Sequence, residues 1–288
     1  MNSKDIAKAY DLLHEGKERE ILHFGSLESQ SNNVILWTKS KELYKNIKKG
    51  ILLAPVEFIS LPKEKGVTYL YSKKSPRLIF AKVLNDFFGS YHPDDYTNHV
   101  KEHRKNKSIK IGDNCFIGKN VKIGEGTEIL HNTSIFSNTV IANNCLINSN
   151  CSIGTPGLGF EYDGDEIVKF PQLGGVYIEE GVEIGPSTTI RRGALDDTKI
   201  GAFTKIGALT NIGHNCIVGK QCILTCQIVL GGSTKIGDKV FMGINSITKN
   251  KVKIGNNVTI GMGAVVLQDI PSGSVAIGFP AKVTINEK

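Results

Sequence analysis

Two features of the chain have residue types suited to chemistry. One is His214, in Ile212-Gly213-His214-Asn215-Cys216; the other is the pair Gly231-Gly232, whose second member follows His214 by eighteen residues. A histidine titrates near neutrality and can take a proton from an attacking nucleophile. Glycine leaves its backbone N–H unscreened by a side chain, which suits the binding of an oxyanion. The two can act together only if the chain coils with an eighteen-residue pitch.

The chain shows that pitch. Isoleucine stands at 111, 117, 123, 129, 135, 141, 147 and 153, and four places after each of the first seven comes Cys115, Val121, Thr127, Thr133, Thr139, Cys145 or Cys151. A strict six matches neither the helical period near 3.6 nor the strand period of 2. It is the period of a β-helix of hexapeptide repeats. Three hexapeptides make one triangular coil, so residues eighteen apart stack at about 4.8 Å.

After Ile153 the period lapses, from Gly154 to Gly175, then resumes at Ile178, Ile184 and Ile190. It stumbles across Asp196-Asp197 and locks again from Ile200 through Val266. A solenoid accommodates an insertion as a loop thrown from a corner, often on the binding face. The glycine and aromatic content of Gly157 to Phe160 favours a contact role. Stacking by eighteens sorts the turns of the second run into three columns. Ala202, Lys220, Asp238 and Asn256 face solvent, whereas Ala208, Cys226, Ile244 and Met262 need an apolar cover. The third column, His214, Gly232 and Asn250, is the chemical one.

The expected domains are a small α/β domain over 1–89, a linker over 90–108, and a β-helix over 109–285 with an inserted loop at 154–177. In the first domain Ser3 and Ser75 are candidate helix caps, and amphipathic helices are expected over 39–49 and after Pro76. Short strands are expected at Ile21–Phe24, Val34–Trp37, Ile51–Ala54 and Val67–Tyr71.

The formal charge of +7 is a mild basic excess, and the cluster Lys101, Arg104, Lys105, Lys107 has no interleaved aromatics. A solvated face, or attraction for phosphorylated small substrates, fits this pattern better than nucleic acid. A polar N-terminus and the lack of any run of about 20 apolar residues give no signal peptide and no membrane span. Cytoplasmic placement is expected. Five of the six cysteines occupy the small inward position of a repeat, a reduced packing role. His92, His99 and His103 have no zinc-like spacing, so no metal is expected.

Several runs resemble the UDP-3-O-acylglucosamine N-acyltransferases. They are Gly157-Leu158-Gly159-Phe160, Phe170-Pro171-Gln172-Leu173-Gly174, Thr188 through Thr198, and Ile212-Gly213-His214-Asn215, with Ser75 through Lys82 similar to that family's uridine-binding segment. The resemblance implies a left-handed coil, a homotrimer with active sites between subunits, His214 as general base and the N–H of Gly232 as oxyanion donor. It implies substrate contacts at Ser75, Arg77, Phe80, Gly159, Phe160, Gln172 and Asn211, and no tightly bound cofactor.

The chain departs from the family pattern at Ser75, Arg191, Gly207 and Lys251, and it stops at Lys288 where a helical tail usually follows. Its terminal Gly278-Phe279-Pro280-Ala281-Lys282 is similar instead to hexapeptide enzymes that use coenzyme A. The expectation is an N-acyltransferase that takes an acyl group from acyl-CoA to a nucleotide-linked amino sugar for surface polysaccharide or lipopolysaccharide. Lys249, Lys251, Gly278, Pro280 and Lys282 are the candidate donor contacts. The alternatives are the lipid A enzyme with a hydroxyacyl-carrier-protein (ACP) donor and a non-catalytic trimeric scaffold.

Overall fold

The computed structural model describes residues 1–89 and 97–285. The chain falls into two units: Met1–Tyr91 with Leu158–Gln172, and His92–Gly157 with Leu173–Lys288. His92 and the first part of the expected linker lie outside the described residues.

In the first unit, five strands form one sheet in the order β1-β5-β4-β3-β2: β1 (Leu13–Glu15), β2 (His23–Phe24), β3 (Val34–Trp37), β4 (Gly50–Pro55) and β5 (Val67–Ser72). β2 to β5 are parallel and β1 is antiparallel to β5. β4 is apolar and buried from Gly50 to Ala54, and β5 is buried along its whole length, as expected of a sheet covered on both faces. Helix α1 (Ser3–Ala9) is capped one residue earlier than expected. The Asn2 side chain accepts from the N–H of Asp5, and the Asp5 carboxylate accepts from the N–H of Asn2, each at 2.9 Å. Helix α2 is confined to Lys41–Lys45. Helix α3 (Pro76–Val83) starts at a proline and passes into one π turn, Leu84–Phe88, before Gly89 at φ 93°.

The strands Phe160–Asp163 and Glu166–Lys169 form an antiparallel hairpin that belongs to this first unit, although the sequence interval lies inside the solenoid. The Glu161 carboxylate pairs with Arg77, whose guanidinium also lies 4.6 Å from the Phe170 ring centroid. Lys74 and Lys82 both donate to Asp163, at 2.7 and 2.5 Å. Phe80 is fully buried with its ring 6.1 Å from that of Phe170.

The second unit is a left-handed parallel β-helix of three sheets with eight, seven and ten strands. The first face stacks Ile117, Ile135, Ile153, Ile190, Ile212 and Leu230 in register, all buried. Each such side chain contributes about 1.5–3 kcal/mol by leaving water. Each regular corner has one left-handed residue, and in the first run these are Asn114, Asn120, Asn132, Asn138, Asn144 and Asn150, with φ between 55 and 63°, and Gly126 at φ 70°. Asparagine tolerates that conformation better than other residues with a Cβ. The open ends are covered. Asn98 bonds to the backbone of Cys115 and Ile117 ahead of a short helix, α4 (Val100–His103), so this part of the expected linker caps the first coil. At the other end Lys282–Ile285 adds an antiparallel edge strand to Ser274–Ile277.

Candidate functional site

Both breaks in the hexapeptide period fall at one corner, between the first and second faces, and in successive coils. One coil leaves the first face at Ser152–Thr155 and regains the second at Val176–Ile178, which leaves room for the insertion. The next runs from Thr189–Arg191 to Thr198–Ile200 through six residues, where a regular corner such as 213–216 has four. The third coil presents His214 at this corner, and the fourth Gly232.

The imidazole lies between two glycines. A Cβ on Gly232 would approach Nε2 to 2.7 Å, and a Cβ on Gly157 would approach Cδ2 to 2.7 Å. Any larger residue at either position would meet the ring, so both glycines are required by close approach. Arg191 helps to place Gly157: its guanidinium donates to the Pro156 carbonyl at 2.8 Å. Arg192 is buried and donates to the carbonyls of Gly154 and Ser137, at 2.7 and 2.6 Å. The Ser233 N–H donates to the His214 carbonyl at 2.7 Å, which registers the glycine turn on the histidine turn. The N–H of Gly232 makes no hydrogen bond within the described residues, and neither does Nε2 of His214. An imidazole nitrogen and a backbone N–H donor, neither with a partner among the described residues, therefore share this corner.

The other expected site residues are distributed over both units. Asn211 sits on the first face three residues before His214, paired with Thr189 and Val229, and its buried Oδ1 has no partner among the described residues. Lys249 and Lys251 are exposed one coil beyond Gly232, and the Lys251 N–H donates to the Gly232 carbonyl at 2.9 Å. Gly278, Pro280 and Lys282 are exposed at the far end of the solenoid, where Lys282 pairs with Ile277.

In the first unit Ser75 is exposed at the start of α3 and makes no capping bond, while Arg77 is held by Glu161. Phe80 packs in the core between Trp37 and Phe170. Phe160 is exposed on the hairpin. Gly159 lies against Gln172, which is 1 % exposed and whose Oε1 has no partner among the described residues. Sequence reasoning gave the Gly157 to Phe160 run a contact role without placing Gly157 against His214, and it missed Arg191. The signal for Gly157 was its place at the first register break, on the same corner as His214.

Two hexapeptide families match parts of the chain: "bacterial transferase hexapeptide (six repeats)" over residues 233–268 and "hexapeptide repeat of succinyl-transferase" over 108–141. Among curated proteins, the chain is 33 % identical over 130 residues to a UDP-3-O-acylglucosamine N-acyltransferase of Caulobacter sp. (strain K31), covering 45 % of this chain and 38 % of that one. It is 36 % identical over 130 residues to the protein so named in Methylobacterium nodulans, covering 45 % and 37 %. The matched part thus spans under two fifths of the length of these relatives. Among solved structures, it is similar to LpxA from Acinetobacter baumannii (29 % identity, TM-score 0.52, 61 % of this chain and 67 % of that one). It is also similar to the Francisella novicida UDP-N-acetylglucosamine acyltransferase (28 % identity, TM-score 0.54, 62 % and 66 %).

Proposed function

We propose that the chain is an N-acyltransferase that moves an acyl group from a thioester to the amine of a nucleotide-linked amino sugar. The observation that carries this reading is the free Nε2 of His214 held against the Gly232 backbone. The similar curated proteins and solved structures are named acyltransferases of nucleotide-linked glucosamines, which supports the same chemistry.

The neutral sugar amine attacks the thioester carbonyl carbon, and Nε2 of His214 takes its proton as the C–N bond forms. The carbonyl electrons move to oxygen, where the Gly232 N–H donates to the oxyanion. Collapse breaks the C–S bond, and the leaving thiolate takes the proton back from the imidazolium. The products are an amide and a thiol. The first unit takes the nucleotide, with Ser75, Arg77 and Phe160 as contacts and Phe80 as support from the core.

Acyl-CoA is the favoured donor, its phosphates met by Lys249, Lys251 and Lys282. The names of the curated relatives favour a second reading, a UDP-3-O-acylglucosamine N-acyltransferase, for which the resemblance in sequence implies the lipid A role and a hydroxyacyl-ACP donor. The resemblance implies a homotrimer, and Leu209, Ile244 and Met262, 51–78 % exposed along one corner, offer an apolar surface for a neighbouring subunit or an acyl chain.

The test incubates the protein with nucleotide amino sugars and either acyl-CoA or acyl-ACP, and detects new amides by mass spectrometry. Amide from acyl-CoA supports the favoured reading. Amide only from acyl-ACP moves the assignment to the second. No amide and no thermal shift with any of these ligands would leave a structural scaffold.

A further inference from the structure

We propose that Asn215 is a positioning residue that fixes which nitrogen of His214 carries the proton, and that the enlarged turn 192–197 serves to hold Asn215 in that role. This inference rests on the reading of His214 as a base. Its Oδ1 accepts from the Ala194 N–H at 3.0 Å and lies 2.9 Å from Nδ1 of His214. A backbone N–H can only donate, so the Asn215 atom facing Ala194 is oxygen. The same oxygen faces Nδ1, which must therefore carry hydrogen when the ring is neutral. Nε2 is left as the unprotonated nitrogen, and it is the one beside Gly232. The Asn215 backbone is held as well, by its N–H donating to Thr198 Oγ1 at 2.9 Å.

The backbone alone does not call for asparagine here. Asn215 has φ 59°, but the equivalent left-handed positions around it hold Phe203, Leu209, Gln221, Gln227, Ser233 and Lys239. The asparagines of the first run differ in what they touch: Asn114 and Asn120 donate to Asn132 and Asn138 of the next coil, at 3.3 and 3.2 Å. Asn215 instead spans a histidine and the enlarged turn. A regular four-residue corner has no residue corresponding to Ala194. The register break one coil before His214 thus supplies a donor that orients the amide, and the amide orients the ring.

The test is two-bond 1H–15N NMR of the protein labelled with 15N-histidine, at a pH where the imidazole is neutral, with His214 assigned by its loss in His214→Gln. The expected spectrum has Nδ1 at a protonated-nitrogen shift and Nε2 at an unprotonated one. Asn215→Gly keeps the left-handed backbone and removes the acceptor, so it should move the population toward the Nε2–H form favoured by free imidazole. Asn215→Asp keeps the acceptor and should retain the wild-type tautomer. In a turnover assay Asn215→Gly should lower kcat by about tenfold or more with donor KM unchanged, and Asn215→Asp should restore most of the loss. Wild-type His214 protonated at Nε2 would overturn the proposal, as would an unchanged tautomer in Asn215→Gly. The tautomer is read without substrate. Failure of the acyl-transfer reading would therefore appear in the turnover assay alone.

Discussion

A Cβ placed on Gly232 would sit 2.7 Å from Nε2 of His214, and one placed on Gly157 would sit 2.7 Å from the adjacent ring carbon Cδ2. Both glycines crowd the ring, and neither position leaves room for a methyl group at the present ring placement. Gly232→Ala and Gly157→Ala should each displace the imidazole, at a cost of about 1–3 kcal/mol in stability from overpacking. A displacement of about 1 Å lowers turnover by about a hundredfold. Thermal melts and kcat for the two variants check this. Wild-type turnover in either would mean that the ring has room that the geometry denies.

The hairpin should loosen in acid. Hydrogen bonds from Lys74 and Lys82 hold the Asp163 carboxyl below the usual carboxylate range. A folded-state pKa below the unfolded one adds stability that is present above the unfolded value and is lost as pH falls through the folded one. The loss therefore lies below about pH 4. Asp163→Asn removes the charge at neutral pH, and amide exchange across 160–169 should then accelerate near pH 7. Unchanged exchange would show that Arg77, Glu161 and Phe170 hold the hairpin by themselves.

Thiol reactivity should divide sharply. Burial raises the pKa of Cys145, Cys151 and Cys222 and pushes Cys216 up to about 12. Cys115 is buried as well, and Cys226 is exposed. A disulfide reagent near pH 8 should modify Cys226 in the native protein and reach the other five only on unfolding. The sign of the pH dependence is opposite to that of Asp163. These raised pKa values add stability that is present below the unfolded thiol value, near 8.5, and is lost as pH rises toward the folded values. The denaturation midpoint should accordingly fall between pH 8 and 10 by less in Cys216→Val than in the wild type.

The solenoid is legible because a six-residue period has a single structural explanation, and stacking by eighteens alone places Gly232 over His214. That the insertion and the Asp196-Asp197 stumble share the His214 corner was implicit in the same count. Their shapes were not, since a loop path is set by contacts such as Arg191 to Pro156, which follow no period. The hairpin 160–169 was read with the solenoid that surrounds it in sequence. It joins the first unit through Arg77, Lys74 and Lys82, charged pairings that local pattern cannot assign. Helix α2 is shorter than its amphipathic pattern, as tertiary packing overrides propensity at helix ends.

The measurement that tests the account most directly is single-turnover acyl transfer by His214→Gln, with the donor dissociation constant determined in parallel. Loss of a general base lowers the chemical step by about 10²–10⁴. The account predicts a fall of that size with donor affinity unchanged. A chemical step within a factor of two of wild type would contradict it, and would leave the departing thiolate to accept the amine proton.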